Sequence, residues 1–134
     1  MKSGKQETVP IASSSDVVLA RQKVRQWAIE MKFTLVDQTK LVTAASELAR
    51  NALEHGKGGH MVIEQVENSV KNGLKLVFED QGPGIADIDA ALRDGYTTAG
   101  GMGLGLGGSK RLVNDFHIES EPGKGTRITV VRWK

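Results

Sequence analysis

"GGMGLGLGG", Gly100–Gly108, is the stretch whose reading decides the fold: six of its nine residues are glycine and the rest are Met and Leu. Glycine reaches backbone conformations closed to other residues and lets a ligand approach the main chain, at an entropic cost on folding. A plain surface loop would mix glycine with Ser, Asn or Asp. The composition therefore points to a loop wrapped around phosphate. Within it lies a literal Gly103-x-Gly105-x-x-Gly108. A dinucleotide-binding α/β fold needs a buried strand just before that motif and an acid about twenty residues later. The preceding "DGYTTAG" is no such strand. A Walker A loop needs Gly-Lys-Ser/Thr, whereas "GLGLGGSK" has Ser and Lys in the opposite order. A two-lobed protein kinase needs a longer chain with H-R-D and D-F-G elements.

Outward from the loop, the elements read as α+β. "ETVPIAS" is a candidate edge strand, because Pro10 removes a ladder donor. Residues 1–6 read as a flexible tail and 7–134 as one domain. Ser14, Ser15 and Asp16 are N-cap candidates for a helix over "DVVLARQKVRQWAIEMK". A second helix runs from Asp37 to His55, with Leu41, Ala44, Ala45, Leu48, Ala52 and His55 inward and Gly56 as its stop. "HMVIEQVE" and "GLKLVFED" are strands joined through Asn72-Gly73. A short helix follows in "QGPGIADIDAALRDGYTT", another in "SKRLVNDF". The final hairpin turns at Glu121–Gly125. Helices segregated on a mixed, largely antiparallel sheet make a two-layer sandwich.

Composition narrows the function. The chain has 134 residues and a net charge of +2 with its basic residues scattered, so no nucleic-acid partner is expected. Few aromatics (4%) leave little for stacking on bases. The absence of cysteine excludes disulfides and thiolate chemistry and is consistent with a reducing compartment. No signal peptide or membrane span is read from the sequence, so the expected location is cytoplasmic.

Three further segments carry chemistry. In "ELARNALEH", Glu47 and Asn51 lie four apart on one helix face. A carboxylate can accept a proton and an amide oxygen can ligate Mg²⁺, while a solvated Glu–Arg pair is the plainer alternative. In "EDQGPGI", Asp80 ends an apolar strand beside Gly82 and Gly84, placed to accept from an adenine amino group. An ordinary turn would use the same residues. In "EPGKGT", Thr126 stands where it could reach the same base, or simply start a strand after a hairpin turn.

Taken together and in order, Glu-x-x-x-Asn, Asp-x-Gly-x-Gly, the glycine loop and Gly-x-Gly-Thr resemble the GHKL ATPase superfamily, whose ATP site has the Bergerat fold. The size of the chain and the segments "VDQTKLVTAASELARNALEHGKGG" and "EPGKGTRITVVRW" resemble its anti-sigma-factor serine kinases, in particular the RsbT-type switch kinases. The resemblance implies ATP and Mg²⁺ as cofactors and a serine of a STAS-domain antagonist as substrate. It implies a PP2C-type phosphatase as the partner activated on release, with a sigma factor as a further partner. By motif, Glu47 would be the general base, Asn51 the Mg²⁺ ligand and Asp80 the adenine contact, with Gly82 and Gly84 lining the base pocket. Gly101, Gly103 and Gly105 would present N–H groups to the phosphates. Met102, Leu104 and Leu106 would close this lid on the core, and Thr126 would support the adenine end. Lys110, Arg111 and Arg50 are candidate phosphate cations, with surface or salt-bridge roles as the plainer reading. Two other functions stay open: an ATP-gated binding regulator with little kinase activity, and the catalytic half of a split histidine kinase. Homodimerisation is also open. Val18, Trp27 and Leu35 are expected in the core before any interface.

Overall fold

The computed structural model describes residues 2–85, 87–92 and 105–134. Five strands form one sheet in the order β1-β2-β3-β5-β4: β1 (Lys2–Ile11), β2 (Gly59–Glu67), β3 (Asn72–Asp80), β4 (Asp115–Ser120) and β5 (Thr126–Trp133). All four strand pairings are antiparallel, so the sheet is not mixed. Helices α1 (Ser14–Glu30) and α2 (Leu35–Glu54) cover one face, with the short α3 (Ile88–Ala91) and α4 (Gly105–Lys110) between β3 and β4. This is the expected α+β two-layer sandwich.

Strand alternation builds the core. Val9 and Ile11, Met61 and Ile63, Leu74, Leu76 and Phe78, and Ile128 and Val130 meet Val24, Trp27, Leu41, Ala45 and Leu48 from the helices. The other face of β2, β3 and β5 carries cross-strand charge pairs, Glu64–Lys75 at 3.8 Å and His60–Glu79 at 3.7 Å among them. Chain order and spatial order part company once: β5 inserts between β3 and β4. The crossover sets β3 and β4 on either side of β5, and that placement assembles the site described below.

The elements differ from the sequence reading at several edges. β1 begins at Lys2, so residues 2–6, expected as a tail, continue the strand and pair with β2 through a bulge between Ser3 and Gln6. Buried Trp27 explains the hold: its indole N–H donates to Glu7 at 3.2 Å and the Lys5 ammonium sits 4.9 Å over its ring. The N-caps are Ser13 and Thr34, whose hydroxyls accept from the Asp16 and Asp37 N–H groups. Each helix therefore starts a turn or less before the expected residue. His55, expected inward, caps α2 and is exposed. The helix expected over "SKRLVNDF" lies earlier, at Gly105–Lys110, and Asp115-Phe116 opens β4. Leu106 and Ser109, both buried, anchor this glycine-rich helix, so packing overrides poor propensity. Trp27 is in the core as expected, but Val18 (41%) and Leu35 (71%) are exposed.

Candidate nucleotide site

Asp80 is the last residue of β3 and is paired directly with Thr126, the first of β5. Thr126 is in turn paired with Ser120, the last of β4. By alternation all three side chains point to the helix side, in a row across three strand ends. Burial pushes the Asp80 carboxyl above its ordinary value, although the backbone N–H groups of Gly82 and Thr126 and the nearby His55 pull the other way. The Gly82 N–H reaches Asp80 Oδ1 at 3.0 Å. A half-buried carboxylate with no ion-pair partner among the described residues is an acceptor held ready for a donor.

The glycines around it are there because of close approach. A Cβ on Gly56 would collide with the Asp80 side chain, and one on Gly82 with the Gly56 backbone. The end of α2 thus rests directly on Asp80 and the following turn. In the sequence Gly56 reads as a helix stop; packing against Asp80 is its stronger constraint, and nothing in the one-dimensional pattern distinguishes the two. Gly84 has φ +79°, and a Cβ there would strike the Glu121 carbonyl.

Ser120 is the residue the sequence reading missed. Its hydroxyl accepts from the Ile85 N–H at 2.8 Å, donates to the Gly125 carbonyl at 2.9 Å and lies 2.8 Å from Thr126 Oγ1. The Gly123 N–H adds a bond to the Pro83 carbonyl at 2.7 Å. The loop after Asp80 and the β4–β5 turn are therefore tied together. The strand alternation Phe116, Ile118, Ser120 could have found it. A cavity of about 200 Å³ at these strand ends is lined by Glu79, Glu119, Lys124 and Arg127 as well as by Asp80, Ser120, Gly125 and Thr126. No α2 residue lines it, so it opens away from the helix layer and is distinct from the space between Asp80 and α2.

On α2, Glu47 and Asn51 lie one turn apart, both half-buried. Arg50 donates to Glu47 Oε1 at 2.9 Å, so the Glu–Arg pair weighed as the plainer alternative is present. The Asn51 carbonyl accepts from the His55 and Gly56 N–H groups at 2.9 and 3.3 Å, which ties Asn51 through Gly56 to Asp80. Among the described residues no cluster of three His, Cys, Asp or Glu side chains could cage a metal. The Asn51 amide oxygen fits Mg²⁺, which takes one or two protein oxygens and completes its shell with phosphate and water, while the Glu47 carboxylate is engaged by Arg50. Gly101, Met102, Gly103 and Leu104 lie outside the described residues. Gly105 starts α4, and Leu106 is buried in the core. Lys110 and Arg111 follow on the exposed side. No described helix is long and apolar enough to cross a membrane.

Comparison with known proteins gives the family. The profile of the histidine kinase-, DNA gyrase B- and HSP90-like ATPases matches residues 36–134. The chain is 47% identical over 128 residues, 96% of each chain, to the serine/threonine-protein kinase RsbT of Bacillus subtilis. It is 33% identical to an anti-sigma F factor of Clostridium kluyveri, over 88% of this chain and 86% of that one. Among solved structures, the RsbU and RsbW domains of a Mycobacterium tuberculosis protein share the fold, with a TM-score of 0.66 and 20% identity; the match covers 97% of this chain and 33% of that one. The chain therefore belongs to the histidine kinase-, DNA gyrase B- and HSP90-like ATPase family, within its branch of RsbT-type serine kinases.

Proposed function

We propose that this kinase transfers the γ-phosphate of ATP to a serine of a STAS-domain antagonist protein and, once released from it, activates a PP2C-type phosphatase. The observation that carries the nucleotide half is the row Asp80–Thr126–Ser120 with Gly56 and Gly82 packed behind it. It offers acceptors and bare backbone of the kind that an adenine amino group would use. The likeness to RsbT over 96% of both chains supports the rest.

In this reading Asp80 and Thr126 hold the base, and Gly82 and Gly84 line its pocket. Asn51 would hold Mg²⁺ through its amide oxygen; when bound, the ion supplies charge neutralisation at the phosphates. Glu47 takes the proton of the attacking serine hydroxyl. Its bond to Arg50 orients the carboxylate and keeps a cation beside the phosphate path. Gly101, Gly103 and Gly105 would present N–H groups to the phosphates, with Met102, Leu104 and Leu106 closing the lid. A protein of this kind works in the cytoplasm and switches partners with phosphorylation state, a sigma factor being a further candidate partner.

The test is phosphotransfer from labelled ATP with Mg²⁺ to a panel of STAS-domain proteins from the same genome. Acid-stable label on a serine, lost in Glu47→Ala and Asn51→Ala, supports the reading. ATP binding without any label turns it toward an ATP-gated binding regulator, and acid-labile phosphohistidine toward a split histidine kinase.

A further inference from the structure

The Ser120 hydroxyl has one proton and, among the described residues, three hydrogen-bond neighbours. The Ile85 N–H can only donate to it, and the Gly125 carbonyl can only accept from it. The third neighbour, Thr126 Oγ1 at 2.8 Å, is the only one whose role is free. With the Ser120 proton on Gly125, the sole arrangement that satisfies all three contacts has Thr126 donating to Ser120. The Thr126 proton is then spent inside the protein, and only its lone pairs face outward.

We infer that Ser120 is a positioning residue that turns Thr126 into a pure hydrogen-bond acceptor and so makes the base site prefer a 6-amino purine over a 6-oxo purine. This rests on the reading that Asp80 and Thr126 hold the base. An amino group donates to both; a 6-oxo group, itself an acceptor, meets lone pairs from Thr126 and a carboxylate from Asp80. Each unmatched acceptor pair loses a hydrogen bond and leaves desolvated lone pairs opposed. A hydroxyl free to rotate would escape this penalty by turning its proton to the oxo group. Ser120 removes that freedom. The arrangement is fixed before any ligand arrives, because the bonds to Ile85 and Gly125 also close the loop after Asp80 onto the β4–β5 turn.

The experiment measures the affinities of the full-length protein for ATP and ITP with Mg²⁺, in wild type, Ser120→Ala, Ser120→Thr and Thr126→Val. The two nucleotides differ at the purine 6-position and in the N1 proton that accompanies the oxo form. Ser120→Ala should narrow the ATP-to-ITP preference about five- to tenfold, the size of one hydrogen bond. Ser120→Thr, which keeps the hydroxyl, should restore it, and Ser120→Ala should add nothing in a Thr126→Val background. If alanine unfolds the turn, Ser120→Cys, with a weak donor of similar shape, answers the same question. Equal weakening of both nucleotides in Ser120→Ala, with Thr126→Val still shifting the preference, would overturn the role of Ser120 and leave the base site standing. A Thr126→Val protein with unchanged affinities and preference would remove the base site itself, and the inference with it.

Discussion

The two ends of α2 hold carboxylates in opposite circumstances. At its start, Asp37 accepts from the Arg132 guanidinium at 2.6 Å, and that cation holds its carboxyl below the ordinary value. Arg132 also donates to the Leu112 carbonyl at 3.1 Å, so the pair staples β5 and the chain after α4 to the helix. At the other end, Asp80 presses against Gly56 and is pushed upward by burial, with the Gly82 and Thr126 N–H groups and the charge of nearby His55 pulling the other way. One carboxylate is satisfied within the fold and stabilises it. The other has no ion-pair partner among the described residues and is penalised by burial, and in the proposed function it is the acceptor for the base. Glu47 stands between them in kind as well as in place: paired with Arg50, yet half-buried on the face that carries Asn51.

That contrast gives an ordered set of expected effects. The largest is on turnover. Glu47→Gln should lower phosphotransfer by about 10²- to 10⁴-fold, the usual contribution of a general base, with ATP affinity unchanged in a binding titration. Next is the staple: Arg132→Met leaves Asp37 without its cation and should cost about 1–3 kcal/mol in denaturant unfolding, below the fully buried case because Asp37 is partly exposed. ATP affinity should not move; a loss there would break the division between the two ends. Gly56→Ala should cost about 1–3 kcal/mol through overpacking and, unlike Arg132→Met, also weaken ATP binding, since the new methyl group must displace Asp80.

The smallest effect is in the pH dependence, and its sign differs between the ends. The stabilisation from Asp37 is present above its unfolded pKa and is lost as pH falls through the lowered folded value, so Asp37→Asn should flatten the acid limb of a stability–pH curve. Asp80 runs the other way. Its raised value means that stability declines as pH rises from the ordinary carboxylate range through the folded pKa, and Asp80→Asn should abolish that decline.

Much of this arrangement was legible in the sequence, and the reasons are local. Asp80-x-Gly82-x-Gly84 is also what an ordinary turn would use; it stands out only in its order with Glu47-x-x-x-Asn51, the glycine loop and Gly-x-Gly-Thr. Glu47 and Asn51 are legible because helical spacing alone puts them on one face. The strands and the two long helices follow from their apolar periods. What stayed hidden depends on contacts between distant segments. Gly56 matters through Asp80, twenty-four residues later. Ser120 matters through Ile85, thirty-five residues earlier. Residues 2–6 look like a tail until Trp27 arrives to bind Glu7 and Lys5. The start of α4 at Gly105 is set by burial of Leu106 and Ser109 against local propensity.

The most direct test of the contrast uses one variant and two readings. Asp80→Asn removes the buried charge and keeps the shape, so its melting temperature should rise above that of wild type at neutral pH while ATP binding, followed by calorimetry, is lost or weakened by at least about tenfold, roughly the worth of a charge-assisted hydrogen bond. A variant that melts lower than wild type and still binds ATP with undiminished affinity would show that Asp80 serves the fold and not the nucleotide, and would contradict the account.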